Sequence, residues 1–306
     1  FNLRTEFQEE ADGEDGWSRR REGVARLLAA RRPSLVCVQE ATEPMIRFLA
    51  EQKRLGYKWV ATSRDPSKSD ETAGFLFDPR RLDLRDHACT WLAPPGTKPG
   101  EPAWDAMCPR TFETAVFRVL GLDTVGARPP SWHATLRVLN THLDHVGVEA
   151  RQRSAAMLAA AIEEGQERFP ESAHVVTGDF NSPKGGGNAV YRLLAGDGAE
   201  GGAGLRDALR HAGTVWSEPN TIHKFQGTSF GAGQGDGTVD FAEADSAKEG
   251  SEGDQRHIDW ILWRDAAAES GLRLRPRSFE VVTERLSSDR WPSDHYPISA
   301  TFELKL

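Results

Sequence analysis

Short apolar runs recur along the chain, each bounded by polar or turn-forming residues. Leu35–Val38, Gly74–Phe77, Ala115–Leu120, Leu136–Thr141, His174–Thr177, Ile258–Trp263 and Tyr296–Leu304 have the length and composition of buried β-strands. Two longer segments repeat their apolar residues with a helical period. Residues 18–32 place Val24, Leu27 and Leu28 on one face behind a Ser18 N-cap; residues 148–168 place Ala155, Leu158 and Ile162 inward, with Glu and Arg outward. Helices separate some strands, while other strands follow one another directly. That order predicts an α/β fold with mixed sheets rather than a purely parallel one. Residues 93–109 (rich in Pro and Gly) and 227–256 (Gly-rich and acidic) predict long loops. The second reads as a solvated surface loop or as a lid over a site.

Composition changes this picture little. Of 306 residues, 38 are Lys or Arg and 46 are Asp or Glu, a net charge of −8. That balance argues against unspecific binding to nucleic acid and leaves phosphate binding to local basic groups or a metal ion. Cys37, Cys89 and Cys108 have neither CxxC nor zinc-finger spacing. They read as buried thiols, with one disulfide open to a secreted protein. No apolar run reaches the roughly 20 residues of a membrane span. The chain starts at Phe1 without Met, which suggests a processed start and leaves the compartment, cytoplasmic or secreted, open.

The chemistry lies where the strands end. LVCVQE runs to Glu40, LRVLNTHLDH to His142, and HVVTGDFNSP to Asp179 and Asn181; HIDWIL carries Asp259, SDHYPIS opens on Asp294 and His295, and Asn2 sits near the start. In α/β sheets, side chains converge on ligands beyond strand ends. Asp179 and Asn181, two apart, either share a face or form an Asx-type turn. A carboxylate at Asp259 inside an apolar run needs a partner. His295 is the candidate, since an Asp–His pair fixes the ring's tautomer, with His257 as the alternative. If Glu40, Asp179, Asp259 and Asp294 converge, their repulsion calls for a cation. Oxygen-rich ligation without thiolates suits Mg²⁺ or Mn²⁺.

Taken together, FNLR, CVQE, THLDH, GDFN, HIDWIL and SDHYP resemble the motifs of the endonuclease/exonuclease/phosphatase superfamily, in the family's order, from residue 1 to 298. The resemblance implies one domain over residues 1–306, a four-layer α/β sandwich of two mixed β-sheets flanked by helices. It implies that Asn2, Glu40 and Asp294 lie at the metal and that Asp179 orients or deprotonates the attacking water. Asn181 would hold the phosphate, and Asp259 with His295 would contact it. His142 stands where other members have a second histidine or a tyrosine, and Glu71 is expected to orient it, unless Glu71 is an exposed edge charge. Arg110 would contact the phosphate bidentately, unless it makes a surface salt bridge. Thr221–Phe225 matches a loop before the last catalytic Asp, so that His223 and Lys224 would line the substrate entrance. The sequence departs from the family in lacking the strand before Asn2 and in the length and acidity of residues 227–256.

The activity implied is in-line hydrolysis of a phosphoester. The rivals lack parts: position 140 is Asn where a zinc-hydrolase HxHxDH run needs His, and there is no GNH motif or GxxxxGK[ST] loop. The arginines at 19–21 and 31–32 read as a solvated helix face rather than a basic track for nucleic acid. The expected partner is therefore a small phosphoester, nucleotide or sugar phosphate bound by a monomer. A DNase-like endonuclease is the alternative, and a catalytically inactive binding module the second.

Overall fold

The structure is a computed structural model, and it describes residues 1–121, 135–185, 187–195, 203–217, 220–230, 257–269, 271–287 and 290–306. Its strands are β1 (Leu35–Cys37), β2 (Lys58–Val60), β3 (Phe75–Phe77), β4 (Leu82–Trp91), β5 (Thr111–Val119), β6 (Thr135–His142), β7 (Ala173–Asp179), β8 (Arg206–Asp207), β9 (Thr214–Trp216), β10 (Asp259–Arg264), β11 (Arg273–Val281) and β12 (Ile298–Lys305). Its α-helices are α1 (Glu9–Asp12), α2 (Trp17–Arg31), α3 (Glu43–Ala50), α4 (Val148–Arg168), α5 (Ala189–Ala195) and α6 (Ala208–His211).

A six-stranded sheet of order β4-β5-β6-β7-β10-β8 faces two three-stranded ladders, β1-β3-β2 and β12-β11-β9. It is mixed as expected: β6 and β7 are parallel, and β10 and β5 run antiparallel to their neighbours. Alternation along each strand builds the layers. Val138, Val175, Ile261 and Trp263 point inward to Phe75, Phe77, Phe279 and Val281 of the ladders. Their neighbours Leu139, Val176, Trp260 and Leu262 point outward to Leu158 and Ile162 of α4 and Leu194 of α5. On the far side, Val24 and Leu28 of α2 and Ile46 and Leu49 of α3 cover Val36 and Leu76. The central strands are thus buried on both faces, which is why they read as continuous apolar runs. Trp260 is fully buried, stacks on Phe180 at 4.1 Å and meets the edge of Tyr191 at 5.2 Å.

Helix α4 covers the predicted span, and α2 begins one residue early. Its N-cap is Gly16, not Ser18, which lies inside the first turn and binds Glu9. The expected solvated face of α2 is also corrected at Arg20. This residue has no exposed surface, and its guanidinium donates to the carbonyls of Leu3 (2.9 Å), Arg4 (3.1 Å) and Pro292 (2.6 Å). It stitches α2 to the N-terminal segment and to the SDHYP segment. Residues 93–109 form a loop, as expected; of 227–256, residues 231–256 fall outside the described residues. Among the described residues no helix is long and apolar enough to cross a membrane.

Candidate active site

Strand register assembles the centre of the site. Asp179 closes β7, opposite His142 on the parallel strand β6 and opposite Asp259 on the antiparallel strand β10. Three functional side chains therefore stand in one row across three neighbouring strands. Gly178 precedes Asp179 because a Cβ there would lie 2.4 Å from the Thr141 carbonyl oxygen. Beyond the strand, the Asp179 carboxylate splits its duties. Oδ1 accepts the Asn181 N–H at 2.9 Å, an Asx turn, and Oδ2 faces the amide of Asn2 at 3.0 Å. Of the two sequence readings of GDFN, the Asx turn is the one formed, with Asn181 beyond the end of β7.

Glu40 follows β1 and comes to Asp179 through Asn2, whose Nδ2 donates to Glu40 Oε1 (2.9 Å) and to Asp179 Oδ2. Asn2 is wholly buried and forms a parallel bridge with Gln39. Its Oδ1 is taken by the Arg4 N–H, so Asn2 aligns the two carboxylates with its amide. Arg4, Glu40 and Asn181 all have positive φ (55°, 52° and 46°), backbone strain gathered at one place. Glu40, His142 and Asp179 each bring a ligand atom within 4.8 Å of the others, as do Asp179, Asp259 and His295. Asp294 is 3.8 Å from the Arg4 guanidinium.

A buried polar layer holds these strand ends from behind. Asn140, two residues before His142, donates to the carbonyls of Val38 (2.9 Å) and Gly74 (3.0 Å) across the sandwich. Its Oδ1 accepts from Gln39 (2.6 Å) and Thr177 (3.1 Å). All four hydrogen-bonding positions of the amide are filled. They link the segments that deliver Glu40, His142 and Asp179.

Electrostatics separate the two site histidines. His295 Nδ1 is 3.0 Å from Asp259 Oδ2, the partner expected from sequence, and its Nε2 is 3.7 Å from Asp179. Burial works against charge on the ring, but Asp259 and Asp179 outweigh it and push the pKa up to about 10. The same contact holds Asp259 below the usual carboxylate range despite its burial. His142 is the opposite case: burial, then Arg110 and Arg64, drop it well below 6.5, so it is neutral at neutral pH. Asn181 Nδ2 donates to His142 Nε2 (3.0 Å) and to the Leu143 carbonyl (2.9 Å). Burial and Asp259 raise Asp179 to about 7, and burial and Glu40 raise Asp294. Four carboxylates in so small a space repel one another, a donor set that a hard divalent cation fits.

A pocket beside His142 is lined by Arg64, Glu71, Thr72, Ala73, Arg110 and Thr111. Glu71 is raised to about 7 by burial and Glu40, and it is paired with Arg64 at 2.8 Å. Arg110 is buried and bound to Asp144 at 3.3 Å and to His145 Nδ1 at 3.0 Å. His223 is buried between Tyr296 (4.0 Å) and Trp291 (5.0 Å), and burial and His295 drop its pKa to about 3. Arg64 and His145 escape the sequence reading, as does the role of Thr221, whose hydroxyl accepts the Asp259 N–H at 3.2 Å. Each lies in a loop without a strand-end pattern. The HLDH run was the only signal for His145.

The geometry can be set beside known proteins. No curated protein sequence matches the chain. Among solved structures, an endonuclease/exonuclease/phosphatase from Bacteroides vulgatus is 24% identical, with a TM-score of 0.73, over 100% of this chain and 97% of that one. A mannosyl-6-phosphatase from Bacteroides thetaiotaomicron is 21% identical, with a TM-score of 0.75, over 100% and 97%. TDP2 from D. rerio, complexed with a single-strand DNA product, is 17% identical, with a TM-score of 0.61, over 99% and 97%. The profile of the Endonuclease/Exonuclease/phosphatase family matches residues 1–295, and the chain belongs to that family.

Proposed function

We propose that this family hydrolase is divalent-metal-dependent and cleaves small phosphoesters by in-line attack of water. The observation that carries the reading is the row His142–Asp179–Asp259, with Glu40 and His295 closing around Asp179. Glu40 and Asp294 would hold Mg²⁺ or Mn²⁺, with Asn2 aligning Glu40 beside Asp179. The ion would polarise the phosphoryl group and offset its charge. Asp179 orients the water and takes its proton, a role suited to a carboxylate raised toward neutrality. His295 stays protonated, its Nδ1 donating to Asp259, and presents positive charge to the developing phosphoryl oxygens. The neutral His142, held by Asn181, serves as a hydrogen-bonding group rather than an acid. Arg110 lies in reach of a bound phosphate, and Glu71 acts on the pocket through Arg64.

Small substrates are favoured over nucleic acid by the net charge of −8 and by the arginines around the site, which are paired with carboxylates. The neighbours include both a sugar phosphatase and a protein bound to DNA, so DNA cleavage is the alternative. The test is a rate panel on sugar phosphates, nucleotides, p-nitrophenyl phosphate and plasmid DNA with Mg²⁺ or Mn²⁺, repeated after chelation. Turnover of small esters that vanishes with chelator is expected. Turnover confined to DNA would favour the alternative, and turnover indifferent to chelator would refute the metal.

A further inference from the structure

The lip beside the pocket is organised by a buried carboxylate that the chemistry above does not use. Asp144 Oδ1 accepts the N–H groups of Val146 (3.0 Å) and Gly147 (2.8 Å), and its Oδ2 accepts the Cys108 N–H (3.3 Å) and Arg110 Nε (3.3 Å). It therefore locks the segment before β5 to the segment after β6. Asp105 secures the same loop to the start of α4 through the N–H groups of Glu149 (3.1 Å) and Ala150 (2.7 Å). On this fixed lip Arg110 Nη2 lies 3.0 Å from His145 Nδ1. A guanidinium only donates, so Nδ1 accepts and Nε2 carries the proton, leaving exposed His145 a neutral donor. Met107 (61% exposed) and Val146 (44%) add apolar surface to the lip. Arg110, bonded to His145, lines the same pocket as His142, so the lip adjoins the reaction centre.

Charge decides what such a lip suits. Arg110 is paired with Asp144, and Arg64 with Asp70 and Glu71. A leaving group carrying further phosphates would meet cations already neutralised. An uncharged one loses nothing.

We propose that this lip is the subsite for the alcohol half of the ester, and that it takes an uncharged, hydroxylated group of the sugar or polyol class. Its C–H face rests on Met107 and Val146, and one hydroxyl accepts from His145 Nε2. The assignment rests on the hydrolase reading above. The test compares kcat/KM for glucose 6-phosphate, p-nitrophenyl phosphate and ATP in the Mg²⁺-loaded protein and in His145→Ala, His145→Gln and Val146→Ser. The wild type is expected to favour the sugar phosphate over both other esters. His145→Ala should cut the preference over p-nitrophenyl phosphate about tenfold, mainly through KM, the scale of one hydrogen bond. His145→Gln, which can accept from Arg110 and still donate, should restore most of it; Val146→Ser should lower it severalfold. An unchanged preference in His145→Ala, or a wild type that favours ATP or p-nitrophenyl phosphate, overturns the subsite and leaves the hydrolase standing. No hydrolysis of any of the three overturns both.

Discussion

A methyl group at position 178 would lie 2.4 Å from a backbone oxygen of the neighbouring strand, so the glycine before Asp179 is imposed by packing. Gly178→Ala should force β6 and β7 apart, costing about 1–3 kcal/mol on the scale of overpacking. Because Asp179 is the next residue, the same change should also lower kcat. Urea unfolding and steady-state kinetics on one preparation check both; a full-rate, wild-type-stable variant would show that the contact does not constrain the site. His295 makes a second residue-scale test. Its Nδ1 donates to Asp259 and its Nε2 faces Asp179 at 3.7 Å, so both carboxylates favour the charged ring. His295→Gln keeps a hydrogen-bonding group but removes the positive charge. The expected loss in kcat is about 10²–10³-fold, the scale of deleting one electrostatic stabiliser.

Among the elements, the strands that carry the site were the ones legible in sequence. β6, β7 and β10 are buried on both faces, so their apolar runs stand out; β6 and β7 end on, and the antiparallel β10 begins with, a polar residue of the candidate site. β4 was not legible. As an edge strand its positions are mostly half-buried or exposed, and LDLRDHACTW contains no apolar run to mark it. β11 was hidden similarly by arginines at its exposed positions. Arg20 shows the converse: a charged residue among arginines reads as solvated, and only the four carbonyls that converge on it in space, those of Leu3, Arg4, Asp15 and Pro292, explain its burial. Of the site, Asp179, Asn2, Glu40, Asp259 and His295 come together as their motifs suggested, whereas the partners of Glu71 and Arg110 could not be read from spacing. Asn140 binds the elements together. Asn140→Leu should destabilise by about 2–4 kcal/mol, because it leaves the Val38 carbonyl and the Gln39 amide without the partner they have in Asn140 and takes one of two donors from the Gly74 carbonyl. Loss of activity in the still-folded fraction would mark it as a residue that positions the strand ends; unaltered kinetics there would make it purely structural.

Over the whole molecule, buried histidines tie stability to pH. His174, in β7, pairs across the sheet with Arg137 on one side and Arg264 on the other. Burial, then those two arginines, drops its pKa to about 3. A folded-state value below the unfolded 6.5 means that its contribution is intact above pH 6.5 and is lost as pH falls toward 3, because the unfolded chain takes up the proton first. Each such histidine adds a slope of up to about 1.4 kcal/mol per pH unit in that window. His174→Met should flatten the fall in unfolding free energy between pH 6.5 and 4, and parallel curves for the two proteins would refute the assignment. The same layered packing that buries His174 carries the three site residues to one end of the sheet, and the central claim is that Asp179 there activates water for phosphoester hydrolysis. The most direct measurement is hydrolysis of a sugar phosphate with Mg²⁺ by the wild type and by Asp179→Asn, with thermal unfolding recorded for both. A loss of about 10³-fold or more in kcat, in a variant that stays folded, is the result predicted; a folded Asp179→Asn that retains the wild-type rate would contradict it.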